Sequence, residues 1–401
     1  MKLGDCSKEL RIKFDKTAEF YIEKWCHIYK RIECEMNKLT ISGTKALFYI
    51  FWTLLLIGKG LGMTSSNPAM VAITWVATVF AISKLIATKW KKQELVISGI
   101  LLILGLLVFI KTRDAAVLLT IMSICAAKDI DLRKLFRYSF WLKFGMFFVR
   151  TSLALANVID RQVLVRYDSG NIHTVRYALG YGQPNATHYT LFVIYVLLFL
   201  SYKNLKTWMF ILLELYNIFI FSYTNSRAGF LMASLLVLCV WAIKSKVIYK
   251  IFKSFGKSLC YSYPFLAVLS FATPYFINTL MKYEGLGTFL SRFKTGTAIL
   301  TTNILTLFGN GNIKTDYGFV FIGFQYGLVV LLVYILANTA LMKKFFRQRY
   351  YIEFFIVLIY AIYTIVESYS ASILMNTSLI LLSILLYQNN KNTYLNGGES
   401  Q

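Results

Sequence analysis

The chain has 401 residues, of which 57% are hydrophobic and only 15% are charged. About a quarter of the residues of a typical soluble domain are charged, so this composition excludes a soluble protein and predicts an integral membrane protein. The formal net charge of +24 does not indicate a nucleic acid partner, because Lys and Arg occur in short clusters between apolar runs and not along one amphipathic face.

Residues 1–43 precede the first apolar run and are predicted to form a cytoplasmic N-terminal segment. Five apolar residues recur there at helical spacing: Leu10, Phe14, Ala18, Tyr21 and Trp25. This spacing favours a short amphipathic helix on the membrane surface. In the alternative interpretation, translation starts at the second methionine, Met36, and residues 1–35 are a mis-assigned start. The first apolar run is expected to remain as an uncleaved anchor, since many others follow it.

Apolar runs then recur along the rest of the chain. A bilayer core of about 30 Å requires roughly 20 apolar residues per helix, and we predict twelve spans on this basis: 44–62, 68–87, 94–110, 114–127, 136–156, 186–201, 207–224, 228–243, 258–277, 319–342, 352–366 and 371–387. The predicted fold class is therefore an all-α polytopic membrane protein with one transmembrane domain, 44–387, and a short tail, 388–401. The fourth and eleventh runs are short, which is typical of re-entrant or distorted helices.

The distribution of Lys and Arg between successive loops predicts the orientation. Alternate loops on one side hold 17 basic residues in 42 positions, whereas the loops on the other side hold 10 in 85. The positive-inside rule places the basic side and both termini in the cytoplasm. This orientation leaves two long external loops, 157–185 and 278–318, and long loops on a helical scaffold are a usual place for function.

Several cations lie on the external side, where the positive-inside rule predicts few. They are Arg161, Arg166, Arg176, Arg227, Arg292 and Lys294. Guanidinium groups bind phosphate with two parallel hydrogen bonds, and a helix N-terminus adds free backbone donors. Anion binding is one interpretation, and solvated loop charge or pairing with lipid headgroups is the other. Arg227 favours the first, because it stands between two apolar runs, where an uncompensated charge is costly.

Two glycine-containing loops directly precede predicted spans. The first runs from Arg176 through Gly180 and Gly182 to Pro184 and Asn185. The second contains Gly309 and Gly311 and ends at Tyr317. Both patterns are typical of loops in which the backbone approaches a ligand at a helix entrance. Ordinary interfacial turns with tyrosine at the membrane boundary are the alternative.

Acidic and histidine side chains supply candidates for proton transfer. Asp316 and Glu367 stand at external helix ends, His188 follows Asn185, and Glu214 lies inside a predicted span. A group of this kind near a membrane boundary is a functional candidate. The chain has three histidines, no external cysteine and no glycine-rich nucleotide loop followed by lysine. We therefore expect no metal and no cofactor.

These features together resemble the Wzy-type polysaccharide repeat-unit polymerases and their relatives, the O-antigen ligases. The architectural resemblance covers nearly the whole chain after Met36. The local resemblance lies in three motifs: Arg176 through the glycines to Pro184-Asn185, Ser226-Arg227-Ala228-Gly229, and Gly309-Asn310-Gly311 continuing through Asp316-Tyr317 to Gly327-Leu328. Ligase relatives usually carry His-Asn where Asp316-Tyr317 stands here, which leaves the general base open and favours a polymerase.

The resemblance implies a glycosyltransferase of the C-type fold that needs no metal. Its substrates would be undecaprenyl-diphosphate-linked oligosaccharides at the outer face of the bacterial cytoplasmic membrane, in capsule, exopolysaccharide or O-antigen biosynthesis. A flippase and a chain-length regulator are expected partners, besides membrane lipids. The implied ligands of the diphosphate are Arg176 and Arg227 first, then Arg166 and Arg292. The implied candidates for accepting the proton of the acceptor hydroxyl are Asp316, His188 and Glu367.

Two other functions fit a basic twelve-helix protein. A lipid-linked oligosaccharide flippase would have its charges along the spans around a central cavity, with short loops on both sides. The concentration of cations in long external loops favours an enzyme over a flippase. A ligase would share the fold of the polymerase and differ in its acceptor.

Overall fold

The computed structural model describes residues 43–64, 67–167, 173–280 and 287–387, together with Asn390 and Tyr394. The predicted N-terminal amphipathic helix and the second methionine lie outside these residues, as does most of the tail. Contacts group residues 47–401 into one compact unit. Residues 1–46 form the other unit, of which only the first residues of a helix are described.

Helices make up most of the described chain. Up to residue 242 they are α1 (Gly43–Gly60), α2 (Pro68–Ala87), α3 (Lys92–Thr112), α4 (Ala116–Ala126), α5 (Leu132–Leu155), α6 (Pro184–Ser201), α7 (Thr207–Thr224) and α8 (Arg227–Ala242). A hairpin of two antiparallel strands, β1 (Val163–Tyr167) and β2 (His173–Tyr177), separates α5 from α6. In its register, Leu164 pairs with Arg176.

The later helices are more often broken. They are α9 (Lys246–Leu259), α10 (Ser262–Phe271), α11 (Thr273–Leu280), α12 (Gly287–Thr302), α13 (Gly318–Phe321), a π-helix (Ile322–Tyr326), α14 (Leu328–Arg347), α15 (Tyr351–Tyr363), two 3₁₀-helices (Ser368–Ala371 and Thr377–Leu382) and α16 (Ser383–Leu386).

The chain is a helical membrane protein. Among the residues that the structure describes, five helices, α2, α3, α6, α7 and α14, are long and apolar enough to cross a membrane, and α8 with α9 makes up to six if that bent pair counts as one span. Shorter apolar helices include α4, α10 and α15. Each predicted span overlaps helical structure, and the total of twelve stays a prediction.

Three predicted spans are not continuous α-helices. The span predicted for 258–277 contains the end of α9, all of α10 and the first residues of α11. The span predicted for 319–342 is interrupted where the π-helix ends at Gly327, whose φ of 97° does not continue a helix. The last predicted span, 371–387, consists mainly of 3₁₀ turns separated by non-helical backbone. Most of that backbone is buried within the protein, which is the condition under which irregular backbone is tolerated at membrane depth.

Three segments predicted as loops contain regular structure. The basic loop 244–257 is the helix α9, and the two external loops hold the β-hairpin and α12. The lysines of 244–257 interrupt an apolar pattern of helical period, which is the pattern of an amphipathic helix between two spans.

Helix α6 is the centre of the bundle. Within the molecule, 89% of its apolar stretch is buried, against 22% for α2, α3 and α7. From Leu191 to Leu200 its sequence is apolar on every side, which is the pattern of a helix surrounded by others. Helices α5, α7, α8 and α15 pack around it. In space, the N-terminal end of α6 lies beside the C-terminal end of α7 and the N-terminal end of α8. The first turn of α6 therefore meets the α7–α8 turn at one end of the bundle.

Candidate functional site

A polar cluster lies at this end of the bundle, and it is built from four separate parts of the chain. These parts are β2 with the first turn of α6, the α7–α8 turn, the α12–α13 segment, and the residues that follow α15. The four parts are distant in sequence. Each contains cations, glycines or acids that the sequence analysis predicted as candidates. We call the connected side chains of these parts the polar cluster; they are Arg176, Asn185, Ser226, Arg292, Asp316 and Glu367.

Arg292 of α12 lies between two carboxylates. Its Nη2 is 3.0 Å from Oε1 of Glu367, and its Nε is 3.9 Å from Oδ2 of Asp316. It also donates to the backbone carbonyl of Val366. The Asp316 side chain is 52% exposed, whereas those of Arg292 and Glu367 are 14% and 3% exposed. The arginine therefore joins a buried acid to an exposed one.

Glu367 lies beyond the C-terminal end of α15, outside the spans. Its burial raises its pKa from the ordinary value to about 7; the Arg292 guanidinium opposes this rise and Asp316 adds to it. Oε1 accepts from Arg292 and, at 3.5 Å, from Nδ2 of Asn185. No hydrogen bond from a residue that the structure describes reaches Oε2. Glu367 therefore combines a pKa near neutrality with an unoccupied oxygen, which suits it to accept or donate a proton.

Arg176 connects β2 to α6 and α7. Its Nη2 donates to Oδ1 of Asn185 at 2.7 Å, and its Nε donates to the carbonyl of Thr224 at 2.9 Å. Asn185 in turn donates to Glu367. The strand, the start of α6 and the acid after α15 are thereby held in one hydrogen-bonded chain, and Arg176 satisfies a carbonyl at the C-terminal end of α7.

The turn between α7 and α8 presents a cation and a helix N-terminus together. It has only two residues, of which Asn225 takes the left-handed conformation with φ of 44°. The Ser226 hydroxyl donates to Oδ1 of Asn185 at 3.2 Å and makes no cap hydrogen bond to α8. The first backbone N–H groups of α8 are thus left without a side-chain cap. Arg227, the first residue of α8, is exposed, and among the described residues none forms a hydrogen bond or ion pair with its side chain.

His188 lies one turn deeper in α6 and is fully buried. Its Nε2 is 2.8 Å from Oδ1 of Asn217, and its Nδ1 is 3.0 Å from the hydroxyl of Thr224. Asn217 donates through Nδ2 to Ser234 and Glu214, which leaves its oxygen as an acceptor and makes His188 Nε2 the donor. The ring therefore fixes Thr224, whose carbonyl binds Arg176, and it does not face an open surface.

Glycine at position 229 allows α6 and α8 to approach each other at this level. A Cβ added to Gly229 would lie 2.8 Å from Cβ of His188, closer than carbon atoms pack. Any larger residue would push α8 away from α6, and with it Arg227, two residues earlier. The glycine of the Ser-Arg-Ala-Gly motif thus has a packing role that places the arginine.

The glycines between β2 and α6 shape the approach to the cluster. Gly180 and Gly182 have positive φ of 86° and 78°, and Pro184 starts α6, where its fixed φ fits a first helical position. Nε of Arg150, near the end of α5, donates to the carbonyl of Gly180 at 2.7 Å. Arg150 was missed as a site residue, although an arginine within a predicted span was the available signal. It holds the loop before α6 through the carbonyl of Gly180.

Two further glycines bring α12 and α13 against the residues after α15. A Cβ on Gly318 would lie 2.5 Å from the carbonyl oxygen of Glu367. A Cβ on Gly296 would lie 2.2 Å from the ring of Tyr317, whose hydroxyl is 2.6 Å from that of Thr273. Both glycines were overlooked in the sequence, although they bring the backbones that carry Asp316 and Arg292 next to Glu367.

The second glycine loop meets protein backbone and not open space. Gly309 has φ of 89°, and a Cβ there would lie 2.2 Å from the carbonyl oxygen of Gln325. A Cβ on Gly311 would lie 3.2 Å from the carbonyl oxygen of Thr112. Asn310 donates from its backbone to Phe324 at 2.9 Å. This loop therefore supports the interruption before α14, and the ligand approach suggested by its sequence is not needed to explain its glycines.

Of the predicted diphosphate ligands, Arg176 and Arg292 belong to the polar cluster and Arg227 lies beside it. Arg166 is in β1, where its backbone pairs with Thr174. Asp316, Glu367 and Asn185 also belong to the cluster, and His188 lies behind it. Which of these residues act in a reaction stays a prediction.

Within the described ranges, no three His, Cys, Asp or Glu side chains gather as a metal site would require. No protein-family model, curated protein or solved structure matches the chain.

Proposed function

We propose that the chain is a polysaccharide polymerase that joins undecaprenyl-diphosphate-linked repeat units. The observation that carries this proposal is the polar cluster, in which the cations Arg176 of β2 and Arg292 of α12 lie near the buried acid Glu367, with the exposed Arg227 of α8 beside them, at one end of a membrane-embedded bundle. A polyprenol carrier requires access from the bilayer, and its diphosphate requires fixed positive charge at the membrane boundary. The cluster and its place in the bundle are suited to both.

The proposed step is a glycosyl transfer. A hydroxyl of the acceptor repeat unit attacks the anomeric carbon of the donor glycan, so that a new carbon–oxygen bond forms. The bond from that carbon to the diphosphate oxygen breaks, and undecaprenyl diphosphate leaves. We assign acceptance of the hydroxyl proton to Oε2 of Glu367, because this oxygen is unoccupied and the pKa of the group is raised to about 7. A base is most effective when its pKa lies near the working pH.

We assign direct contact with the diphosphate to Arg227. It is exposed, it has no ion-pair partner among the described residues, and it starts a helix whose first N–H groups lack a side-chain cap. A guanidinium beside a helix N-terminus is a strong phosphate site. Arg176 and Arg292 are already bound to protein groups, so we assign them to positioning and to the positive potential around the leaving group.

The finer architecture belongs to the same proposal. We propose twelve spans, a C-type glycosyltransferase-like arrangement and both termini in the cytoplasm, with the polar cluster at the outer face of the cytoplasmic membrane. The excess of Lys and Arg in the loops of the opposite end supports this orientation. Cysteines placed at positions 176 and 227 should react with a membrane-impermeant maleimide in intact cells. Labelling only after the cells are opened would contradict the orientation.

A flippase is the second candidate, and a different observation favours it. Lys143, in the middle of α5, is 3% exposed and donates to the carbonyl of Leu374 at 3.4 Å. That carbonyl belongs to the non-helical backbone between the two 3₁₀-helices. A buried charge beside an unwound segment is a feature of transporter binding sites.

A strain that lacks the protein separates the two functions. Loss of a polymerase should leave single lipid-linked repeat units on the outer surface, whereas loss of a flippase should leave them on the inner surface. Accumulation on the outer surface, measured with an impermeant glycan-modifying reagent, is the result that we expect. Accumulation on the inner surface would contradict the polymerase.

Arg227→Ala tests the assigned phosphate contact. We expect the glycan chains to shorten to single units while the protein remains inserted at normal abundance. Lys111→Ala is the matched control, since Lys111 is an exposed cation near the end of α3 and lies outside the polar cluster. Normal chain length in the Arg227 variant, or equal loss in the control, would contradict the assignment.

A further inference from the structure

Helix α9 has a lysine face. Lys246, Lys250, Lys253 and Lys257 follow one another at intervals of four, three and four residues. At about 100° per residue these four lie within an arc of about 60°. All four are exposed, and none forms an ion pair with a described residue. No acidic residue occurs in the sequence from 244 to 259, so the face carries a positive charge that nothing on the helix balances.

The opposite side of α9 is apolar and exposed. It consists of Val247, Ile248, Ile251, Phe255 and Leu259. All five side chains are exposed, and Phe255 is 67% exposed. In water these side chains would form an unfavourable hydrophobic strip along the whole helix. Their exposure is instead what a helix needs in order to insert one face into the acyl boundary of a bilayer.

The third side of α9 packs against α14 and α15, and this packing sets the direction of the helix axis. Phe252 is buried, and its ring centroid lies 4.6 Å from that of Phe355 in α15. A Cβ added to Gly256 would lie 2.4 Å from the ring of Phe346 in α14. The helix is bent by 109° from α8. Because α8 crosses the bundle from Arg227, this bend turns α9 out of the direction of the span, at the end opposite the polar cluster.

We propose that α9 lies flat in the membrane interface and binds anionic phospholipid headgroups through its lysine face. The apolar face enters the acyl boundary, the lysine face meets the headgroups, and the third side packs on the bundle. Charge complementarity selects the occupant, since four unpaired lysines next to a hydrophobic strip match an anionic lipid surface. The proposal holds whether or not the chain is a polymerase.

Spin labels test the geometry in the full-length protein. After replacement of the six native cysteines, Phe255→Cys and Lys250→Cys each carry one nitroxide in phosphatidylglycerol-containing bilayers. We expect molecular oxygen to relax the label at 255 and a water-soluble nickel chelate to relax the label at 250. A label at 255 that the chelate reaches, or that neither reagent reaches, would overturn the proposal. The second result would indicate a second copy or another protein on this face.

Lipid selectivity tests the charge. The full-length protein is reconstituted in phosphatidylcholine with traces of spin-labelled phosphatidylglycerol or phosphatidylcholine, and the motionally restricted fraction of each probe is compared. Each lysine at a membrane surface strengthens the binding of an anionic lipid about fivefold, but only the lipids next to the helix experience this attraction. Averaged over all lipids around the protein, we expect the wild type to favour phosphatidylglycerol over phosphatidylcholine by roughly threefold or more. Lys→Gln at 246, 250, 253 and 257 together should reduce this preference to near unity.

The matched control removes the same charge elsewhere. Lys→Gln at Lys89, Lys91, Lys92 and Lys206 changes four exposed lysines that do not share a helix face. This variant should retain most of the selectivity of the wild type. Equal loss in both variants would show that net charge and not α9 attracts the lipid, and an unchanged preference in the α9 variant would overturn the proposal directly.

Discussion

The protonation of Glu367 depends on two charged neighbours that can be removed one at a time. Arg292 lies 3.0 Å away and favours the ionised carboxylate, whereas Asp316 disfavours it. Arg292→Gln should therefore raise the pKa of Glu367, because a stabilising cation is lost. Asp316→Asn should lower it, because a repelling anion is lost. The two substitutions should move one titration in opposite directions.

The distance fixes the expected size of the larger change. Unit charges 3.0 Å apart interact by roughly 5 kcal/mol at an effective dielectric constant of about 20. Water that enters in place of the guanidinium offsets part of this loss, and close pairs of this kind usually change a carboxyl pKa by about 1 to 3. We therefore expect the midpoint to rise by at least about one pH unit in Arg292→Gln and to fall by less in Asp316→Asn.

The titration can be followed without an activity assay. Infrared difference spectra of the full-length protein in bilayers show the stretch of a protonated carboxyl, and the band that Glu367→Gln removes belongs to this residue. In the wild type it should disappear with a midpoint near pH 7, in line with the raised pKa. Movement of both midpoints in the same direction, or of neither, would refute the assignment of the two neighbours.

Three further predictions concern stability and packing. Gly229→Ala should destabilise the fold by about 1 to 3 kcal/mol, because its Cβ would lie 2.8 Å from that of His188. Gly99→Ala, which has open space around its Cβ, is the control in the same thermal unfolding assay. Gly318→Ala should displace the backbone at Glu367 and alter the midpoint of its infrared band, and an unchanged band would contradict this close contact. Burial raises the pKa of Glu367 from 4.5 to about 7, so the wild type should lose roughly 3 kcal/mol of stability as pH rises through that interval. Glu367→Gln should show no such loss when unfolding temperatures at pH 5 and pH 8 are compared.

The sequence predicts the membrane class and the position of helices well, because the bilayer imposes a length and an apolar composition on each span. It fails where the chain departs from that rule. The break at Gly327 and the 3₁₀ turns that begin at Ser368 lie in runs that remain apolar. Hydropathy alone therefore predicts continuous helices there. Their irregular backbone is possible because surrounding helices bury it, and that is a property of the tertiary packing.

The sequence also marks most members of the polar cluster, but not how they connect. Arg176, Asp316 and Glu367 were singled out by their charge at a membrane boundary, and the structure brings them together. The carbonyl of Thr224 was not predicted, because a backbone oxygen carries no sequence signal. The role of His188 also needed the structure, since only the positions of Thr224 and Asn217 show that both ring nitrogens are occupied.

Charged residues of the site and nearby glycines have a common physical relation. Arg227 precedes Gly229 by two positions, and Asp316 precedes Gly318 by two. In each case the glycine lies against a neighbouring element at a distance that no side chain permits. A polar side chain is placed at the site only if its own backbone is brought close, and a missing Cβ is the simplest way to allow this within a packed bundle. The cation or acid supplies the charge and the glycine allows the close backbone approach that places it, so each pair acts as one structural unit of the site.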